Sequence, residues 1–194
     1  RKPEWHVFVQ YGLNPSNTDT VARDFVLLGD IFDGSTPMFP VWGADYGVLF
    51  RACDYWKPGG GGGCGIFKAD SGMTRAGGVP LNFPAFIVGD NAVPTDTKGG
   101  RLVYMTHTTG NWDVYVTSIN GGGGTNLTNS PADDGLGTIS PDGQWVAFVS
   151  TRDGRWGVWV MPITGGSAQR LPIDIPSWVE GYGGWTNERI SWGP

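Results

Sequence analysis

Histidine is scarce in this sequence, with only His6 and His107 among 194 residues. General acid–base catalysis and metal binding both depend heavily on histidine. No set of acids and nucleophiles converges with either residue in the sequence, and no Gly-x-Ser-x-Gly motif presents a serine nucleophile. The sequence therefore predicts that the protein is not an enzyme. It also predicts no metal site and no cofactor.

Tryptophan, in contrast, is abundant, with ten residues. Its large ring is enriched at interaction hot spots and can also stack on a sugar. Four tryptophans fall in or beside predicted loops, and we expect them to form a candidate binding surface: Trp42, Trp56, Trp178 and Trp185. Four others lie at positions that recur along the chain, which favours packing inside the protein: Trp112, Trp145, Trp156 and Trp159.

The composition favours short strands joined by tight turns, since the chain has 33 Gly and 14 Pro. No stretch of about ten residues keeps the apolar period of a helix, so we expect almost no helix. The net charge of −5 and the absence of a Lys/Arg cluster argue against a nucleic-acid partner. No apolar run approaches the roughly 18 residues of a membrane span. The first residue is Arg1, without a leader-like apolar segment, which fits a mature, processed or excised chain.

A repeat of 44 residues connects these features, because residues 101–128 align with residues 145–172 without a gap. Tyr104 then matches Phe148, and the turn glycines and aromatic residues coincide. Looser copies occur at residues 48–70 with an enlarged turn, at residues 5–10 with 24–31, and as one last strand at residues 188–192. A period of roughly 40–50 residues with several strands in each unit is typical of a β-propeller.

We therefore predict an all-β fold, a β-propeller of about four blades in which each blade is a small antiparallel sheet. One domain covers residues 1–194, divided into approximate units 1–38, 39–82, 83–134, 135–181 and a closing strand 182–194. In this prediction the C-terminal strand joins the first unit and closes the ring. In the alternative, the tail leaves the ring and joins another molecule.

The string ISPDGQWVAFVSTRDGRWGVWVMPITGGSAQRL (139–171) resembles the TolB-type, WD40-like (PD40) propeller repeat. That pattern runs from SPDG through an apolar strand, an Asp/Asn-Gly turn, a second strand, a Gly turn and a Leu. The chain departs from it, since one copy alone has an intact SPDG and four hairpins stand where typical members have six blades. The resemblance implies a non-catalytic, periplasmic or extracellular protein used for protein interaction. It also implies that Asp133 and Asp134 bridge blades.

Cys53 and Cys64 are the only cysteines. The repeat places Cys53 at the end of one hairpin strand and Cys64 at the start of the return strand, within the reach of a disulfide. The alternative is a redox or metal pair, but the spacing is not Cys-x-x-Cys and nearby zinc ligands are lacking. We predict a structural disulfide, which implies an oxidising compartment.

The function predicted from the sequence is a non-catalytic, secreted or cell-surface propeller, in the periplasm or outside the cell. Its partner would be another protein or copies of itself, as in an extracellular assembly or filament. The alternative from a second class is a carbohydrate-binding, lectin-like propeller, and an enzyme is a third, disfavoured class. Asn126 begins an Asn-Leu-Thr glycosylation pattern, which also occurs often by chance.

Overall fold

The computed structural model describes residues 8–10, 25–27, 38–43, 47–53, 63–69, 75–76, 79–80, 85–175 and 184–193. Regular structure in these residues is almost entirely β-strand, with a single 3-10 helical turn at Trp185–Asn187. The strands are β1 (Phe8–Gln10), β2 (Phe25–Leu27), β3 (Met38–Trp42), β4 (Val48–Cys53), β5 (Cys64–Ala69), β6 (Arg75–Ala76), β7 (Val79–Pro80), β8 (Ala85–Val88), β9 (Val93–Lys98), β10 (Arg101–Thr106), β11 (Asp113–Ser118), β12 (Thr125–Asn126), β13 (Asp134–Ile139), β14 (Trp145–Ser150), β15 (Gly157–Pro162) and β16 (Gln169–Asp174).

Three four-stranded antiparallel sheets form the body of the described structure. Sheet I has the order β3-β4-β5-β8, sheet II the order β9-β10-β11-β12, and sheet III the order β13-β14-β15-β16. Two further pairs, β1-β2 and β6-β7, are two-stranded. The four hairpins predicted from the repeat are present as β1-β2, β4-β5, β10-β11 and β14-β15. The prediction of small antiparallel sheets is confirmed.

Strand β14 of sheet III carries apolar side chains on both faces, as a sheet packed between two neighbours requires. Val146 and Phe148 belong to the cluster shared with sheet II, and Ala147, which lies between them in the strand and so faces the other way, is also buried. The connecting turns place Gly154 at a φ of 86°. That region is favourable for glycine and costly for other residues, so the Asp-Gly turn of the repeat sets the hairpin.

The sheets pack face to face through two apolar interfaces. Between sheets I and II lie Leu49, Ile66 and Leu102, all fully buried. Between sheets II and III, Gly137 permits an unusually close approach, because a Cβ there would lie 2.6 Å from Val103 and 2.8 Å from Val114. The innermost strands β3, β9 and β13 lie next to one another. The three sheets are therefore arranged as neighbouring propeller blades are, with their innermost strands side by side.

Two parts of the predicted organisation differ in the structure. The outermost strand of sheet I is β8, so the second unit extends to Val88 and does not end at residue 82. Residues 184–193, which we name the tail, form the helical turn followed by non-strand backbone. The predicted closing strand is therefore wrong for the described tail, and the described sheets do not form a closed ring.

The tail instead crosses the three innermost strands. The Arg189 guanidinium lies 5.1 Å from the centre of the Phe39 ring on β3 and donates to the carbonyl oxygen of Pro94 on β9 at 3.3 Å. Farther along, the indole N–H of Trp192 donates to the carbonyl oxygen of Thr138 on β13 at 3.1 Å. These contacts take the place of strand pairing, and they connect the tail to the innermost strand of each of the three sheets.

Candidate interaction surface

Each sheet has two ends, which differ in their connections. We name the inner-turn end the one at which the innermost strand turns into the second strand, after β3, β9 and β13. The hairpin end is the opposite one, where β4-β5, β10-β11 and β14-β15 turn. The candidate residues divide between these two ends.

At the hairpin end, Cys53 and Cys64 face one another in the β4-β5 ladder and are joined by a disulfide, with the sulfur atoms 1.99 Å apart. The predicted pairing is present. The repeat-equivalent pair in sheet II is His107 and Trp112, whose rings meet edge to face at 5.6 Å. Both pairs close the mouth of a hairpin, so this position has a structural role in both copies.

Trp185 also lies at the hairpin end, packed among the tryptophans of the repeat. Its ring centre is 5.9 Å from that of Trp112 and 4.8 Å from that of Trp156. A Cβ on Gly135 would lie 2.5 Å from the Trp185 ring, so this close contact requires glycine. Trp185, which the sequence placed on an exposed loop, is therefore a packing residue, as are Trp112 and Trp156.

Asp133 and Asp134 link sheets II and III at the same end. The carboxylate of Asp133 accepts from the backbone N–H of Trp112 at 3.0 Å, and its own N–H donates to the Thr151 hydroxyl at 3.1 Å. The fully buried Asp134 pairs with Arg152 at 3.0 Å, and burial raises the pKa of that carboxyl. The Arg152 contact lies within sheet III, whereas the backbone N–H of Asp134 donates to the carbonyl oxygen of Trp112 in sheet II at 2.8 Å. The contacts of Asp133 and Asp134 with Trp112 agree with the blade-bridging role that the resemblance implies.

Asn126, the first residue of the glycosylation pattern, uses its side-chain amide for hydrogen bonds within the fold. Its amide donates to the carboxylate of the buried Asp113 at 3.0 Å and to the Tyr115 hydroxyl at 3.2 Å. Its oxygen accepts from the backbone N–H of Thr128 at 3.1 Å. N-linked modification would remove one amide hydrogen from this network, so the structure favours an unmodified Asn126.

At the inner-turn end, two tryptophans are open to solvent: Trp42 is 57% exposed and Trp145 is 42% exposed. The exposed cations Lys98 and Arg101 flank the turn between β9 and β10, and Arg101 donates to the carbonyl oxygen of Gly143 at 3.1 Å. This end therefore presents aromatic rings together with positive charge, a combination suited to binding. Trp145 was predicted to pack, and its exposure is a difference from that prediction.

The SPDG turn, residues 140–143, belongs to the inner-turn end but is held by its own side chains. The Ser140 hydroxyl donates to Asp142 and accepts from the backbone N–H of Trp145 at 2.9 Å. Asp142 also accepts from the N–H of Gln144 at 3.0 Å. The Ser140 hydroxyl, with this backbone bond, lowers the pKa of the Asp142 carboxyl. The turn positions Trp145 and has no free acid for catalysis.

An open pocket of about 420 Å³ lies between the innermost strands and the tail. Its one carboxylate, Asp96, accepts from the Thr138 hydroxyl at 2.9 Å and from the backbone N–H of Ile139 at 2.7 Å. That carboxylate therefore links β9 to β13. The pocket lining is Pro40, Val41, Thr95, Asp96, Lys98, Thr138, Ile139, Pro141, Arg189, Ile190, Ser191 and Trp192.

Of the predicted surface, Trp42 is exposed and Trp185 is packed at the opposite end, while Trp56 and Trp178 lie outside the described residues. Sequence reasoning missed Lys98, Arg101 and the exposure of Trp145. A usable signal was available, because Arg101 and Trp145 occupy the same repeat position directly after an inner turn. Loops of one end would be expected to gather such residues.

Within the described ranges, no three His, Cys, Asp or Glu side chains converge as a metal site would require. The same part of the chain contains no helix with the length and apolar character needed to cross a membrane.

Known proteins that are similar to this chain include proteins named TolB. The chain is 33% identical over 119 residues to the "Protein TolB homolog" of Chlorobaculum tepidum, covering 59% of this chain and 27% of that protein. It is 31% identical over 74 residues to the "Uncharacterized protein Atu1656" of Agrobacterium fabrum, covering 38% of this chain and 23% of that protein. The crystal structure of TolB from Acinetobacter baumannii matches with a TM-score of 0.54 and 20% identity, covering 72% of this chain and 33% of the other.

These matches confirm the resemblance to the TolB-type repeat. The chain spans about a quarter of the length of the curated relatives that it matches. No protein-family profile matches the chain.

Proposed function

We propose that this chain, which resembles the TolB-type propeller repeat, is a non-catalytic propeller that binds another protein through its inner-turn end. The observation that carries this proposal is the pair of exposed rings, Trp42 and Trp145, on a fold whose other described tryptophans are at least half-buried. Exposed tryptophan on a rigid scaffold provides a large contact area at a small cost in side-chain entropy.

The charge of this surface indicates the chemistry of the partner. Lys98 and Arg101 lie exposed at the inner-turn end, whereas the carboxylates of Asp96 and Asp142 are already engaged in hydrogen bonds. A partner segment with carboxylates and apolar side chains would complement the surface, since opposite charges guide docking while aromatic contacts supply affinity. We therefore propose an acidic, partly apolar protein segment as the ligand.

We place the protein in the periplasm or outside the cell. A disulfide such as Cys53–Cys64 persists in oxidising compartments and is rare where thiols are kept reduced. The TolB-type resemblance supports the same location. Recovery of the protein from its native source with both thiols free would argue against this placement.

The experiment that tests protein binding is selection of peptides from a phage-displayed library on the immobilised chain. We expect acidic peptides to be enriched, and we expect the Trp42→Ala, Trp145→Ala double variant to bind them at least about tenfold more weakly. The matched control is Thr108→Ala, at an exposed turn of the hairpin end, which should bind like the parent chain. The proposal would be contradicted if the selected peptides bound the double variant as tightly as the parent chain, or if no peptides were enriched.

A carbohydrate ligand is the second candidate, favoured by the same exposed rings because sugars also stack on tryptophan. A glycan array separates the two. Binding to glycans that is lost in the Trp42→Ala, Trp145→Ala variant, without enrichment of peptides, would replace the protein-binding proposal with the lectin-like one.

A further inference from the structure

Asn120 is the only asparagine in the sequence that is followed by glycine. The backbone nitrogen after an asparagine can attack the carbonyl carbon of the asparagine side chain, and glycine hinders this attack least because it has no Cβ. The new nitrogen–carbon bond closes a succinimide ring. The proton of the backbone N–H passes through water to the side-chain nitrogen, which leaves as ammonia. A water molecule then opens the ring to aspartate or to isoaspartate.

The structure places Asn120 in an exposed turn directly after β11. The backbone N–H of Gly121 donates to the carbonyl oxygen of Ser118 at 2.9 Å, and this bond closes the turn. Gly121 has a φ of 82°, a conformation that favours glycine. The attacking nitrogen therefore lies at a surface turn, where the opening of one hydrogen bond frees it, and not inside a sheet.

A buried lysine of the neighbouring sheet contacts the side-chain oxygen of Asn120. Lys68 lies in β5 of sheet I, is 5% exposed, and donates from Nζ to Oδ1 of Asn120 at 2.9 Å. Negative charge develops on this oxygen when the backbone nitrogen adds to the carbon. A cation that is already positioned at such an oxygen stabilises the transition state, and the effect is larger where water is partly excluded.

We propose that Asn120 is a site of spontaneous deamidation, and that the Lys68 ammonium promotes the reaction by stabilising the oxyanion that forms on Oδ1. In the aspartate product, an ion pair with Lys68 replaces the hydrogen bond to a neutral amide that now joins sheet I to the turn after β11. In the isoaspartate product, the extra methylene group of the main chain conflicts with the hydrogen bond that closes the turn. Water is the only other reactant, so the proposal does not depend on the proposed function.

The first test is mass spectrometry of the folded chain during incubation in mildly alkaline buffer, with peptide mapping of each asparagine. We expect deamidation at Asn120 to be at least about tenfold faster than at Asn129, because Asn129 is also exposed but is followed by Ser130. A rate at Asn120 no higher than the rate at Asn129 would overturn the proposal. So would a covalent cross-link between the peptides that contain residues 68 and 120.

The second test measures the same rate in Lys68→Met and Lys68→Arg, after circular dichroism has shown that each variant folds. We expect deamidation of Asn120 to be at least about threefold slower in Lys68→Met and close to the parent rate in Lys68→Arg. A purely structural role of Lys68 predicts the opposite, because loss of its hydrogen bond loosens the turn and speeds the attack. An unchanged or faster reaction in Lys68→Met would therefore overturn the role of Lys68.

The third test leaves Lys68 in place and examines the product. We expect Asn120→Asp to unfold at a higher temperature than the parent chain at low salt, with a difference that shrinks at high salt, since its carboxylate pairs with Lys68. Asn129→Asp is the matched control, because it adds the same charge at an exposed position away from Lys68. Equal unfolding temperatures for Asn120→Asp and Asn129→Asp at low salt would contradict the ion pair.

Discussion

The two ends of the sheets use tryptophan in opposite ways. At the hairpin end, Trp185 lies against Trp112 and Trp156, and all three are at least half-buried. At the inner-turn end, Trp42 and Trp145 project into solvent. The difference teaches that the residue type alone does not assign a role. What decides the role is whether a distant part of the chain covers the ring, here the tail and Gly135.

The ionisable groups show the same contrast, because they contact other residues of the fold at the hairpin end and are exposed at the inner-turn end. At the hairpin end, the fully buried Asp134 pairs with Arg152 within sheet III, and the Asp133 carboxylate accepts from the backbone N–H of Trp112 in sheet II. At the inner-turn end the cations Lys98 and Arg101 remain exposed. One end therefore stabilises the propeller, and the other has side chains that can still bind a partner.

The largest expected effect separates the two groups of tryptophans. We expect Trp185→Ala to lower the free energy of unfolding by about 2–4 kcal/mol, because the cavity it leaves adjoins Trp112, Trp156 and Gly135. Trp42→Ala, the matched control at the other end, should change it by less than about 0.5 kcal/mol. Urea unfolding followed by circular dichroism measures both. An equal decrease in the free energy of unfolding for the two variants would contradict the distinction between the two ends.

The disulfide is the next largest contribution at the hairpin end. Changing Cys53 and Cys64 together to Ser should lower the free energy of unfolding by about 2–3 kcal/mol, since the bond restricts the unfolded chain. Reducing agent should destabilise the parent chain by a similar amount and leave the double variant unchanged. If reducing agent left the free energy of unfolding of the parent chain unchanged, the disulfide would not contribute to stability.

Tyr104, buried between sheets I and II, gives a smaller effect that depends on pH. Burial, with the neighbouring Tyr115, raises the pKa of Tyr104 to about 12. The fold favours the neutral phenol, so stability should fall as the pH rises from the ordinary tyrosine pKa near about 10 towards 12. Thermal unfolding between neutral and alkaline pH should show this loss, and Tyr104→Phe should reduce it. Parallel curves for the two proteins would contradict the assignment.

The smallest effect concerns the SPDG turn at the inner-turn end. The Ser140 hydroxyl lowers the pKa of Asp142, so the interaction stabilises the fold above the ordinary aspartate pKa and is lost as the pH falls through the lowered value. Asp142→Ala should therefore be slightly less stable than the parent chain at neutral pH and equal to it in acid. If the difference in stability between Asp142→Ala and the parent chain stayed the same in acid, it would not come from the charged Asp142 carboxylate.

The sequence predicted the repeated core well because each hairpin is a local structure. Phe148, Tyr104 and Phe50 occupy the same position in three copies, and each pairs with an aromatic residue on the return strand. The Cys53–Cys64 pair followed from the same alignment. Local pairing and side-chain alternation depend on neighbouring residues, which the sequence displays directly.

The tail could not be predicted in this way. Residues 188–192 have the alternation of a strand, but whether they pair depends on an available edge elsewhere in the molecule. The structure instead uses contacts far apart in sequence, such as Arg189 with Pro94 and Trp192 with Thr138. The burial of Trp185 on Gly135 has the same origin. Such non-local contacts leave no periodic signal in a single sequence.

The most direct test of the central claim is oxidative footprinting of the tryptophans by mass spectrometry, with and without a peptide selected on the chain. Without peptide, Trp42 and Trp145 should oxidise faster than Trp112, Trp156 and Trp185, in line with their exposure. With peptide, Trp42 and Trp145 should be protected and Trp185 unchanged. Protection confined to the hairpin end, or fast oxidation of Trp185 in the free protein, would contradict the assignment of binding to the inner-turn end.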